Sequence, residues 1–225
     1  MTTKIAIIGA GNVGGNLGAT FSKAGFPVHF GVKDVADPPK AGGASSDGKK
    51  DTKLLERCAN DAVIESVEAA ANWGDVVFIA VPAQVAVDIA RSLAAVLKDK
   101  IVVDCNNSLK WEAGPVWAPP AEGSLAQAIA KAAPGAKVVK GFNTFGAEFH
   151  ADPKHAGAPA NVFFASDDAG AKKTVSEIAT TAGYAPVDAG PLRNAGVLEN
   201  LAILWIHLAM VGGQGRDFTF LMTKK

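Results

Sequence analysis

Residues 4–18 read KIAIIGAGNVGGNLG. The run Lys4 to Ile8 is apolar beyond its first residue, the pattern of a strand buried on both faces. Val13, Leu17, Phe21 and Ala24 then recur at spacings of four, four and three, which makes one apolar helix face. Gly25 stands where helices of this kind end. Between strand and helix, Gly9, Gly11 and Gly14 form G-x-G-x-x-G. Gly9 permits a tight turn, Gly11 lets the backbone approach a pyrophosphate, and Gly14 lets helix and strand pack closely. The helix start adds free N–H groups and a favourable dipole. A second strand, PVHFGV from Pro27, follows at the spacing of a βαβ unit, and this context turns a common glycine pattern into a dinucleotide cradle.

The same alternation continues along the chain. DVVFIAVP ends a buried strand at Pro82, a helix is expected from Ala83 to Leu97, and KIVVDCNN and KVVKGFN read as further strands. Short elements are expected at Leu54 to Ala59 (helix) and Ala62 to Glu65 (strand). Ser124 and Gln127 have capping-box spacing and start another helix. A strand from Ala160, a helix from about Asp168 to Ala182, a short strand APVDA and a helical region from about Arg193 complete the chain. The expectation is an α/β fold of the Rossmann type, a doubly wound, mostly parallel sheet with helices on both faces. Residues 1–145 are expected to form its dinucleotide-binding domain and 146–225 a C-terminal α/β extension packed on it, with a single compact unit as the alternative. Two stretches resist this reading. Lys33 to Lys53 is polar and rich in Gly and Pro, a surface loop. Ser108 to Gly123 shows no periodicity, and loops of that length are commonly functional.

Composition narrows the functional classes. The 225 residues are 48% apolar and 20% charged, which is globular and not disordered. Lys+Arg and Asp+Glu are both 22, so no net field draws nucleic acid or anionic lipid. LENLAILWIHLAMVGG, from Leu198, is broken by Glu199, Asn200 and His207 and falls short of a membrane span. It reads as a buried or interface helix, and a homodimer surface or an intramolecular core explains it equally well. MTTKIAIIGAG enters a strand at once without a tripartite leader, and Cys58 and Cys105 have no paired spacing. The expectation is a cytoplasmic protein with two free, buried thiols.

Ligands in such sheets sit beyond the carboxyl ends of the strands, here after Ile8, Gly31, Val81, Cys105 and Phe142. The second strand decides which dinucleotide. An NAD site places Asp or Glu there, whereas Phe30, Gly31 and Val32 are uncharged and Lys33 is the first charge. A lysine at that point suits a 2′-phosphate, which favours NADP, although the neighbouring Asp34 would favour NAD if it turned inward. Gly43 to Lys50, GASSDGKK, imitates a phosphate loop, but Lys50 replaces the hydroxyl that magnesium needs and no strand leads into it.

Acids and bases are scarce. Tyr184, the only tyrosine, has Asp188 where a tyrosine-dependent dehydrogenase needs lysine, and neither G-x-S-x-G nor H-E-x-x-H occurs. His150 and His155 are separated by a proline and make a poor metal face, so no metal site is expected. His29 reads as structural and His207 as a satisfied core or interface histidine. Hydride transfer between two flat rings needs few protein acids, whereas a carbonyl substrate usually wants a proton donor.

These residues carry a resemblance. IAIIGAGNVGGNLG, FIAVP, VVKGFNT, DAGPLRNAGVLENLA and GGQGRDFTF together resemble the NADP-dependent deazaflavin (coenzyme F-420) oxidoreductase family over nearly the whole chain. They are also similar to the cytosolic reductase domain of six-transmembrane metalloreductases, which passes hydride from NADPH to flavin. The resemblance implies a hydride exchange between NADP(H) and a deazaflavin or a flavin such as FMN or FAD. It implies that Ala10, Gly11, Asn12 and Val13 hold the pyrophosphate, and that Val32 and Lys33 surround the 2′-phosphate where the family commonly has a hydroxyl residue and arginine. Val81, Pro82 and Ala83 would border the nicotinamide ribose, and Asn143, Thr144 and Phe145 the nicotinamide and second ring. Gly146 replaces a proline common in the family. No catalytic side chain is implied. Two other readings stay open, a non-catalytic dinucleotide-binding protein and a reductase of a small imine or carbonyl.

Overall fold

A computed structural model of the chain describes residues 2–35, 54–59, 62–155 and 157–223. The 43–50 phosphate-loop imitation and most of the polar 33–53 loop lie outside the described residues. In chain order the elements are β1 (Ile5–Ile8), α1 (Asn12–Lys23), β2 (Val28–Val32), a 3-10 turn (Leu55–Arg57), β3 (Val63–Ser66), α2 (Val67–Trp73) and β4 (Val76–Ile79). Then come α3 (Ala83–Ser92), α4 (Ala94–Leu97), β5 (Ile101–Asp104), β6 (Leu109–Trp111), β7 (Pro115–Trp117), α5 (Leu125–Ala132) and β8 (Lys137–Lys140). The remainder comprises α6 (Glu148–Ala151), β9 (Lys154–His155), β10 (Ala158–Pro159), β11 (Asn161–Phe164), α7 (Ala169–Thr181), β12 (Ala185–Asp188), a second 3-10 turn (Leu192–Asn194) and α8 (Ala195–Met210).

Six strands form one sheet in the order β3-β2-β1-β4-β5-β8, all neighbours parallel. This is the doubly wound Rossmann order, and its direction reverses between β1 and β4. Alternation along β1 explains why the run is apolar throughout. Ile5 and Ile7 face one core with Phe21, Phe30 and Phe78, while Ala6 and Ile8 face the other with Ile79, Ala86 and Ala90. Each fully buried Phe or Ile stabilises the fold by about 1.5–3 kcal/mol. β11 and β12 form a separate parallel pair with α7 between them in sequence, tied to β8 by the Lys140–Ala165 bridge. Phe142, Phe164, Tyr184 and Trp205 belong to the same core as Phe21 and Phe78.

Local signals behave as their chemistry demands. Ser124 Oγ accepts the Gln127 N–H at 3.2 Å and starts α5, and Asp168 Oδ1 accepts the Ala171 N–H at 2.7 Å at the start of α7. Other expectations need correction. The apparently structureless 108–123 stretch contains the antiparallel hairpin β6–β7, whose three-residue strands are too short to show a period. The helix expected over 83–97 breaks at Leu93, which leaves helical dihedrals while its side chain stays buried. The helix expected over 54–59 is the single Leu55–Arg57 turn. Cys105 is buried but Cys58 only partly so, and both are free. His207 is exposed on α8 and not in the core. Among the described residues no helix is long and apolar enough to cross a membrane.

Candidate functional site

The β1–α1 turn is shaped by backbone and not by side chains. Gly9 has φ +99°, and a Cβ there would stand 2.4 Å from the Ala80 carbonyl and 2.9 Å from Val81 Cγ1. Its N–H bonds the Gly31 carbonyl at 2.9 Å, so the ends of β1, β2 and β4 meet at this residue. Gly14 holds helix against strand, since a Cβ there would lie 1.9 Å from the Gly9 carbonyl. Gly11 is different. It is the N-cap of α1, no side chain caps that helix, and a Cβ on Gly11 would meet no protein atom within 4 Å. Three glycines with these separate roles, around an uncapped helix start, fit a pyrophosphate. Ala10 is fully buried behind the turn, whereas Asn12 is exposed and Val13 partly exposed at the head of α1.

At the end of β2, Gly31 is filled from behind by Ile8 and α2, with Ile8 Cδ1 2.8 Å from a Cβ position. Val32 is buried, and Lys33 is exposed with no hydrogen bond or ion pair among the described residues. Its ammonium is therefore available to a phosphate. On the other side of the switch point, Pro82 is the N-cap of α3 and exposed, flanked by the partly exposed Val81 and Ala83.

The third wall follows β8. Asn143 Nδ2 donates to Asn107 Oδ1 at 2.8 Å and to the Leu198 carbonyl at 3.1 Å, and Asn107 Nδ2 answers with the Asn143 carbonyl at 2.9 Å. Asn143 Oδ1 is buried and has no partner, an acceptor that a bound donor such as a carboxamide or ribose hydroxyl would satisfy. Thr144 is buried beside it. The Phe145 ring packs into an aromatic group, 5.7 Å from Phe149 and 5.0 Å from His150 between centroids, so it belongs to the core. Gly146 faces Glu148 and Trp205: a Cβ there would meet the Glu148 carboxylate first and lie 2.8 Å from Trp205 Cη2. The carboxylate and the indole edge thus occupy the space that a larger residue at 146 would take.

Two features were not foreseen. The first is a charged group inside the protein. Asp104 and Lys140 close β5 and β8, and Glu199 reaches them from α8; all three are fully buried. Lys140 Nζ lies 2.8 Å from Asp104 Oδ2 and 3.3 Å from Glu199 Oε1, and also donates to the Asn106 carbonyl. The second is His150, whose Nε2 lies 3.0 Å from the Phe142 carbonyl and Nδ1 3.2 Å from the Tyr184 hydroxyl. Burial pushes the imidazole down to about 4, so it is neutral, donating from Nε2 and accepting at Nδ1. Burial likewise pushes the Tyr184 hydroxyl and, with the adjacent Asp104 charge, the Cys105 thiol well above their ordinary values. A usable signal did exist in the sequence: Asp104 and Lys140 are charges that end apolar strands at the edge where ligands bind.

Residues 4–108 match the family model described as NADP oxidoreductase, coenzyme F420-dependent. The chain belongs to this family. It is similar over 99% of its length, at 28% identity and a TM-score of 0.85, to a proposed F420-dependent NADP reductase from Arthrobacter sp. FB24, all of which it covers. A hypothetical protein from Sinorhizobium meliloti is 30% identical over 87% of this chain and 88% of its own, with a TM-score of 0.68. An imine reductase from Myxococcus stipitatus shares the fold at 17% identity and a TM-score of 0.63, and this chain spans 63% of its length. The family is one of NADP-dependent oxidoreductases, which agrees with the uncharged end of β2 and the unpaired Lys33.

Proposed function

We propose that the protein transfers a hydride between NADP(H) and a deazaflavin or flavin ring. The observation that carries this reading is the chemistry of the titratable groups near Asn143. His150, Tyr184 and Cys105 are buried and held neutral, and Lys140 is enclosed by two carboxylates. None of them can deliver a proton to a carbonyl or imine in the cleft, which disfavours that substrate class. A ring acceptor asks for positioning alone: the reduced nicotinamide supplies the hydride and the acceptor's own electronics receive it.

The chain's residues would divide the work as follows. Gly9, Gly11 and Gly14, with the head of α1 at Ala10, Asn12 and Val13, hold the pyrophosphate. Gly31 and Val32 shape the adenosine end and Lys33 pairs with the 2′-phosphate. Val81, Pro82 and Ala83 flank the ribose, while Asn143, Thr144 and Phe145 set the nicotinamide end. Trp205 filling the space beside Gly146 keeps that wall closed despite the missing proline. The exposed stripe of Val197 and Leu204 on α8 with Val211 just beyond its end would pack against its own copy in a two-fold homodimer, which sedimentation of the wild type and Leu204→Glu tests.

Stopped-flow mixing of the NADPH-loaded protein with deazaflavin, FMN and FAD tests the main reading. Oxidation of the bound NADPH by one of these rings is expected. Tight NADPH binding without turnover by any of them would leave the non-catalytic reading in its place.

A further inference from the structure

The buried group at the ends of β5 and β8 has an unequal charge count. Asp104 Oδ1 accepts from Asn106 N at 3.0 Å and Asn106 Nδ2 at 2.9 Å, and Oδ2 from Lys140. Glu199 Oε1 accepts from Leu125 N at 2.9 Å and from Lys140, and Oε2 from Trp117 Nε1 at 2.8 Å. Every one of these contacts brings a nitrogen donor to a carboxylate oxygen. Both acids therefore act as acceptors only, the pattern of the ionised form. One ammonium answers two carboxylates, so the triad carries one net negative charge with no solvent contact. Cys105, beside Asp104 and Lys140, and Tyr184 next to it are neutral and add nothing to cancel it.

The position of this charge matters more than its presence. Asp104 and Lys140 are the last residues of their strands, at the edge where ligands bind. The Asn106 amide spans from Asp104 Oδ1 to the Ile79 carbonyl at the end of β4, 3.1 Å away. Asn107, the next residue, carries the pair with Asn143. Glu199 follows Leu198, whose carbonyl holds that same Asn143. The charge is thus built into the floor of the proposed nicotinamide pocket. An oxidised nicotinamide ring bears a positive charge and a reduced one does not. A fixed negative charge in a region of low dielectric distinguishes the two.

We infer that the Asp104–Lys140–Glu199 triad favours the oxidised nicotinamide over the reduced one and so biases the protein toward hydride donation from NADPH. The inference rests on the dinucleotide reading above. The three residues act through the field and through Asn106, and are positioning residues, not catalytic ones.

Dissociation constants for NADP+ and NADPH, measured by calorimetry at fixed pH and salt, test it in wild type, Glu199→Gln and Asp104→Asn. Each variant removes one negative charge at nearly constant shape. The wild type is expected to bind NADP+ more tightly than NADPH, so that the bound pair has a lower potential than the free pair. In each variant the ratio of the NADP+ to the NADPH constant should rise by about fivefold. Such a rise moves the potential of the bound pair up by about 20 mV, since tenfold is about 30 mV for two electrons. A structural role alone would weaken both forms together, and an unchanged ratio in a folded variant overturns the inference. Wild-type protein that binds NADPH more tightly than NADP+ overturns it too, even if neither variant folds. Failure of the wild type to bind either form would instead remove the dinucleotide reading itself.

Discussion

His150 Nε2 lies 3.0 Å from the Phe142 carbonyl, and Phe142 sits in the left-handed region at φ +57°. A bulky residue pays for that conformation with strain, and the imidazole bond at its carbonyl, with the packing of its ring against Phe21, Phe78, Phe164 and Tyr184, opposes that strain. The turn so fixed leads straight into Asn143. From the other side, Thr20 Oγ1 on α1 donates to the His150 carbonyl at 2.6 Å, which joins the pyrophosphate helix to the nicotinamide wall.

The pH dependence of stability follows from the burial of this imidazole, which outweighs the opposing effect of the bond. The folded His150 titrates at about 4, below its unfolded value, so the unfolded chain binds more protons between the two. Its contribution is complete above about pH 6.5 and is lost as pH falls toward 4, a span of about 3 kcal/mol. Urea unfolding at intervals from pH 7 to 4 should show this decline in the wild type. His150→Gln, less stable at pH 7, should show it only in part, because its amide does not titrate.

Two glycine substitutions should separate folding from binding. A methyl at position 11 points into open space at a φ of −75°, whereas one at position 14 strikes the Gly9 carbonyl. Gly11→Ala is expected to keep its thermal midpoint while NADPH affinity falls by about tenfold or more, because the methyl occupies the pyrophosphate's path. Gly14→Ala should lose about 3 kcal/mol of stability as well, by forcing α1 from β1. Calorimetric titration beside thermal melts distinguishes them.

Lys33 is the cheapest test of cofactor choice. With no protein partner among the described residues, its removal should cost the fold nothing measurable. Lys33→Ala is expected to weaken NADPH by about fivefold and leave NADH unchanged. Fluorescence titrations with both dinucleotides give the ratio, and an equal loss for both would remove Lys33 from the 2′-phosphate.

Gly146 and Trp205 should behave as a coupled pair. A methyl at 146 approaches the indole to 2.8 Å, and Trp205 is further held by its Nε1 bond to the Phe218 carbonyl at 2.8 Å. Gly146→Ala is expected to destabilise by about 1–3 kcal/mol, and less so in a Trp205→Phe background, where the ring edge is withdrawn. A double-mutant cycle in urea should return a coupling of about 1 kcal/mol, and additive effects would show that the Glu148 carboxylate, the nearer neighbour of that methyl, carries the clash instead of the indole.

How much of this was legible differs from element to element. The turn at Gly9 to Gly14, the continuous apolar strands and the Ser124 cap are signals carried within some twenty residues, by steric need, periodicity and capping chemistry. Hence the doubly wound fold and the dinucleotide cradle could be read directly. The uncharged end of β2 likewise needed only the residues Phe30 to Lys33. The hairpin at Leu109–Trp117 left no trace, because three-residue strands show no period and take their pairing from each other.

The triad shows the limit most clearly. In sequence, Glu199 was only an interruption in an apolar run, and Asp104 and Lys140 were two charges 36 residues apart. Sheet register sets Asp104 beside Lys140, and the packing of α8 brings Glu199 from 59 residues further on. Their common burial, their shared hydrogen bonds and their net charge arise only when distant segments converge. The sequence by itself determined the strand order's local units and the glycine cradle, whose causes are short-range. Only the tertiary structure decided what charge lies beneath the cradle's far end, because electrostatics inside a protein depends on which groups are excluded from water together.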